Sequence, residues 1–77
     1  MAIDYHDLRH EDSAGTYDGK QLEKYYNKSR DSYDVLLRED RFGEVLGSSE
    51  NLQERDADQI LMAGETDVDM EEILNGD

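Results

Sequence analysis

His6 and His10 stand four residues apart, with Asp7, Glu11 and Asp12 beside them. On a helix this spacing turns both imidazoles to one side, where two ring nitrogens and a carboxylate could hold a divalent metal. No apolar pattern makes the segment helical, however, and no third ligand is specified by position. The expected reading is a solvated polar arm with no metal. The acids near the C-terminus invite a calcium loop. Asp67, Asp69 and Glu71 fill its first, third and fifth places, but Glu72 stands where the sharp turn needs glycine. A loop begun at Asp56 fails in the same way, with Leu61 in that place.

Catalytic arrangements are no better supported. Ser13, Ser29, Ser32, Ser48 and Ser49 lie in no recognisable nucleophile turn, cysteine is absent, and no glycine-rich loop could cradle a phosphate. Carboxylates are plentiful, but a chain of 77 residues is too short to enclose a cleft that would tune their pKa values for acid–base work. Neither enzymatic activity nor a cofactor is expected.

What remains is charge. The chain carries 21 acids against 8 bases, a net −13. Residues 1–19 hold five acids and one base, residues 20–41 five acids and six bases, and residues 42–77 eleven acids and one base. Such a field repels nucleic acid, anionic lipid and acidic substrates. Its natural partner is a larger protein with a basic surface, and many basic surfaces exist to hold nucleic acid. The candidate contact acids are Glu54, Asp56, Asp58, Glu65, Asp67, Asp69, Glu71 and Glu72. Glu65, Asp67, Asp69 and Glu71 occupy every second position. In an extended chain they would project from one side at intervals of about 6.8 Å, comparable to phosphates along a nucleic-acid strand.

Charge steers encounter, but apolar anchors slow dissociation. Tyr26, Phe42 and Leu74 are the candidates. Adjacent helical residues point about 100° apart, so Tyr25 and Tyr26 could not both face a core, and one would reach the rim. The acidic amphipathic stretch from Val68 to Leu74 could likewise dock in a groove with a basic border.

The elements expected to position these residues are helices. Leu22, Tyr25, Tyr26, Ser29, Tyr33, Leu36 and Leu37 recur at three- and four-residue spacing, which predicts a helix from Gly19 to Glu39. Asp18 would cap it, with Gln21 completing a capping box. Phe42, Val45 and Leu46 predict one more turn, stopped by Gly47. A further helix is expected to begin at Ser48 or Ser49, or late at Asp56, and to end at Gly64 with Leu52, Ile60 and Leu61 inward. A last short helix opens at residues 66–69 with Val68, Ile73 and Leu74 inward, and Asn75-Gly76 stops it. In residues 1–18, Ile3, Tyr5 and Leu8 could form a strand or a docking arm, and Asp12-Ser13-Ala14-Gly15 reads as a turn.

The fold expected is therefore all-α, small and irregular: an acidic arm over residues 1–18 and a helical domain over 19–77. A chain this short buries only about 60% of its unfolded surface. Leu, Ile, Val and Phe together number 15, near the composition of disordered chains. The longest apolar run, Ile60 to Ala63, cannot span a membrane. The segment Met1-Ala2-Ile3-Asp4 lacks the basic and apolar parts of a secretion signal, so the cytoplasm is the expected compartment, a host cell's if the chain is viral.

Size and charge resemble those of small acidic inhibitors of viral or mobile-element origin, which occupy a basic surface by nucleic-acid mimicry. The analogy is one of class, resting on no motif. The alternative is a structural subunit of a larger assembly such as a virion. A third reading is adaptation to high salt, which 12 Asp against 9 Glu and only 3 Lys would permit.

Overall fold

A computed structural model, which describes residues 7–40, 43–65, 70 and 74, shows an antiparallel sheet with one helix packed on it. The strands are β1 (Leu8–Gly15), β2 (Gln21–Asn27), β3 (Ser32–Arg38) and β4 (Val45–Leu52), in the order β1-β2-β3-β4, and the helix α1 spans Glu54–Ala63. The all-α expectation is overturned. The segment read as one long helix is the β2–β3 hairpin at the centre of the sheet.

The reason lies in the five residues that the helical stripe had to cross. The Asn27 side-chain carbonyl accepts the backbone N–H groups of Ser29 at 3.0 Å and Arg30 at 3.1 Å, a side-chain-built turn that competes with helix. Asp31 then takes φ +52°, a left-handed conformation that a helix cannot contain. On either side, alternate positions share a face. Leu22 pairs with Leu37, Lys24 with Val35 and Tyr26 with Tyr33, and this set lies on the side that α1 covers. Tyrosine, valine and leucine at those positions suit a half-buried pleated surface.

The other boundaries shift accordingly. Residues 12–15 do not turn but complete β1, which carries an irregularity between His10 and Asp12. The reversal comes later. Thr16 Oγ1 accepts the Lys20 N–H at 2.8 Å, and Gly19 supplies φ +87°. Asp18 sits in that reversal rather than capping a helix, and it accepts hydrogen bonds from Thr16 Oγ1 and Lys20 Nζ. Val45 and Leu46 lie in β4, not in a helical turn, as do Ser48 and Ser49. The helix starts near the later of the two expected positions and ends against Gly64, as expected.

The core is Leu22, Val35, Leu37, Ala57, Leu61 and Met70, with Ala14, Tyr33, Leu46, Leu52, Ile60, Ala63 and Leu74 packed around it. Met70 and Leu74 are helical, and Met70 is only 1% exposed. Val68 and Ile73 lie outside the described residues. On the opposite face of the sheet Leu36 is fully buried beside polar side chains, of which Glu23, Asn27, Ser32 and Asp34 are buried too. Arg38 Nε donates to Glu23, which also accepts the Tyr25 hydroxyl at 3.0 Å. Asp34, 3% exposed, accepts from Asn27 Nδ2, from Arg30 and from the backbone N–H of Asn51. The last bond ties β3 to Asn51, whose φ of +61° bends the chain just before α1.

Candidate functional site

Lys24 is in the middle of β2 on the face that α1 covers, and it is 6% exposed. A buried ammonium needs a partner. Its Nζ donates to Asp58 Oδ1 at 2.7 Å, lies 3.6 Å from Glu54 Oε2, and sits 5.5 Å from the Tyr33 ring centre. The hydrogen bond to Asp58 raises the Lys24 pKa against the opposing effect of burial, so the group stays charged. Both carboxylates flank the buried Ala57–Leu61 side of α1 and keep roughly half of their surface in water.

Beside this pair, β1 and α1 leave an open cleft of about 440 Å³. Its lining is mostly polar, with Asp12, Ser13, Lys24, Asp58 and Glu65 beside Ala14, Leu61 and Met62. Asp12 pairs with Lys24 in the sheet register, so its side chain projects on the side of α1. One Asp12 oxygen accepts the Ser13 N–H at 2.8 Å. Met62 is 69% exposed. Glu65 follows the C-terminal end of α1, whose last turn contains no base. The negative end of the helix dipole is thus joined by another negative charge, where a cation would be stabilising. Among the described residues no ion pair engages Asp12 or Glu65. The cleft thus combines the Lys24–Asp58 pair with two exposed carboxylates, Asp12 and Glu65.

A comparison with family models, curated proteins and solved structures finds no match.

The residues expected from sequence meet different fates. Glu54 and Asp58 come together, but around the chain's own Lys24. Glu54 and Asp56, in the first turn of α1, also suit the positive end of its dipole. Asp56 is half-buried, with Arg55 Nε 3.9 Å away. Glu65 joins Asp58 at the cleft. Tyr26 is spent on the sheet: its ring lies 5.3 Å from that of Tyr33 and beneath the Arg9 guanidinium, and its hydroxyl donates to Asp31. That hydrogen bond to a carboxylate pushes the Tyr26 pKa up. Leu74 packs against the core. Phe42, Asp67, Asp69, Glu71 and Glu72 lie outside the described residues, as does His6. His10 stacks edge-on to Tyr25 at 5.4 Å, and no cluster of metal-ligating side chains occurs among the described residues.

Asp12, Lys24 and Met62 were missed. The available signal was the alternation Leu22, Lys24, Tyr26, which places a lysine in the buried series once the segment is read as a strand. Asp12 and Ala14 alternate in the same way on β1.

Proposed function

We propose that this protein is a small acidic inhibitor that occupies a basic, nucleic-acid-binding surface of another protein and so competes with nucleic acid. The observation that carries this reading is how the bases are used. Arg9, Lys20, Lys24, Arg30, Arg38 and Arg55 each lie within ion-pair distance of a carboxylate of the chain itself. With 21 acids in the sequence, a large excess of negative charge is left to face outward. An uncompensated field of that sign accelerates encounter with a basic surface and disfavours nucleic acid, lipid and acidic partners. Among the described residues no helix is long and apolar enough to cross a membrane.

The test is capture of partners from source-cell lysate at low and moderate salt, with duplex DNA or RNA as competitor. Capture of a nucleic-acid-binding protein that DNA or RNA displaces, and that weakens steeply with salt, supports the inhibitor. A stoichiometric, salt-resistant set of partners indifferent to nucleic acid overturns it in favour of a structural subunit.

A further inference from the structure

We infer that the β1–β2 turn and the end of α1 form the face that anchors the basic partner, with Tyr17 and Met62 as its apolar contacts; this rests on the reading above and names the contact within it. Among the described residues these are the large apolar side chains that stand exposed, Tyr17 at 64% and Met62 at 69%. They belong to one end of the molecule. The Tyr17 N–H donates to the carbonyl of Gly64, two residues beyond Met62, at 2.7 Å. Other candidate anchors are already used inside the fold: Tyr26 packs on Tyr33, Tyr25 meets His10, and Leu74 lies against the core.

Neither side chain serves the fold. Tyr17 gives the turn only its backbone N–H, and neither residue joins the core cluster. The turn itself is firmly built. The Thr16 N–H donates to the Lys20 carbonyl at 2.8 Å, the Gly19 N–H to the Thr16 carbonyl at 3.2 Å, and the Lys20 N–H to Thr16 Oγ1 at 2.8 Å. A tyrosine presented on such a turn has two side-chain torsions and loses little freedom on binding, while a methionine adapts to the surface it meets. Charge fixes the kind of partner. The last turn of α1 contains no base, and Glu65 follows it. Lys20, the base of the turn, is paired with Asp18 at 2.6 Å. Two apolar contacts with a negative border are the complement of an apolar patch bordered by lysine or arginine.

The experiment places the photo-crosslinking residue p-benzoylphenylalanine in the full chain at Tyr17, at Met62, or at the exposed Lys28 beyond the opposite end of β2. Each protein is irradiated in source-cell lysate with and without duplex DNA or RNA. The expected result is one product from the Tyr17 and Met62 positions, identified by mass spectrometry as a nucleic-acid-binding protein, suppressed by DNA or RNA, and absent from the Lys28 position. A chain carrying Tyr17→Asn and Met62→Gln should melt like wild type and release that protein roughly tenfold faster, as expected when two anchoring contacts are lost. Products from the Lys28 position alone, or equally from all three, overturn this face and leave the inhibitor standing. Unaltered release from the double variant does the same. A product from the Tyr17 and Met62 positions that nucleic acid does not suppress overturns the inhibitor, and the basic partner with it. No product from any position overturns the face if wild type still captures its partner, and overturns both readings if it does not.

Discussion

Lys24 Nζ lies 2.7 Å from Asp58 Oδ1 and joins the middle of β2 to the middle of α1 across 34 residues of sequence. The pair converts part of the acidic surface into an internal fastening. Its ammonium is buried while its carboxylate still reaches water, so the cost of desolvation falls mostly on the lysine.

Removing that fastening should therefore weaken the fold. Lys24→Ala loses both stem and charge and should cost about 2 kcal/mol, whereas Asp58→Asn, with Glu54 still close by, should cost about 1 kcal/mol. The pH dependence has a definite sign. The folded pKa of Lys24 is raised above its ordinary 10.5, so the contribution is full below 10.5 and is lost as pH climbs through the folded value. Burial raises Tyr25 and Tyr33 as well, and they act in the same direction. The difference in urea stability between wild type and Lys24→Met, measured from pH 9 to about 12, should isolate the lysine. A difference that stays constant over that range would show the pair to contribute nothing.

Asp34 organises two turns from one buried carboxylate. It accepts the Asn51 N–H at 3.1 Å and the Arg30 guanidinium at 3.0 Å. Asp34→Ala would take the acceptor from the buried Asn27 amide as well and should cost about 2 kcal/mol, while Asp34→Asn, which keeps an acceptor, should cost about half of that. Hydrogen exchange at the Asn51 amide should accelerate beyond the global change in Asp34→Ala. Unchanged local protection would mean that the Asn51 bend holds without the carboxylate.

Two glycines should resist alanine for opposite reasons. At Gly64 the backbone is ordinary right-handed helix, with φ −62°, but an added Cβ would lie 2.5 Å from Leu22 Cδ1 in the core. Gly64→Ala should cost about 2 kcal/mol through overpacking. At Gly19 nothing lies within 4 Å, yet φ is +87°, so Gly19→Ala should cost about 1 kcal/mol through backbone strain alone. Thermal melts, with NMR shifts at Leu22 methyls only in the Gly64 variant, would separate the two causes.

Asp18 makes the acid limb legible. The Lys20 ammonium, with the Thr16 hydroxyl, holds its pKa at about 2 against an ordinary 3.8. Its stabilising contribution is complete above the ordinary value and is lost as pH falls through about 2. Asp18→Asn should lower stability at neutral pH and make the fall between about pH 4 and 2 shallower than in wild type. Parallel acid limbs in the two proteins would rule out a contribution from this turn.

Some of this was readable in advance. Net charge, its concentration after residue 42, the helix ending at Gly64 and the inward Leu61 follow from residue types and local spacing alone, because each depends on a few neighbouring positions. The choice between helix and hairpin over residues 20–38 did not. Leu22, Tyr25, Tyr26, Tyr33, Leu36 and Leu37 satisfy a helical stripe, while Leu22, Lys24, Tyr26, Tyr33, Val35 and Leu37 satisfy strand alternation. A lysine inside the second series argues against it until an acid is known to lie opposite.

That acid, Asp58, comes from a helix 34 residues away. Only the tertiary structure decides that Lys24 is buried, that Asp58 and Glu54 serve it, and that Asp12 and Glu65 line the same cleft without an ion-pair partner among the described residues. Local sequence sets what each side chain can do. Which charges are neutralised, and which remain for a partner, is settled by distances between residues far apart in the chain, and no local pattern encodes them.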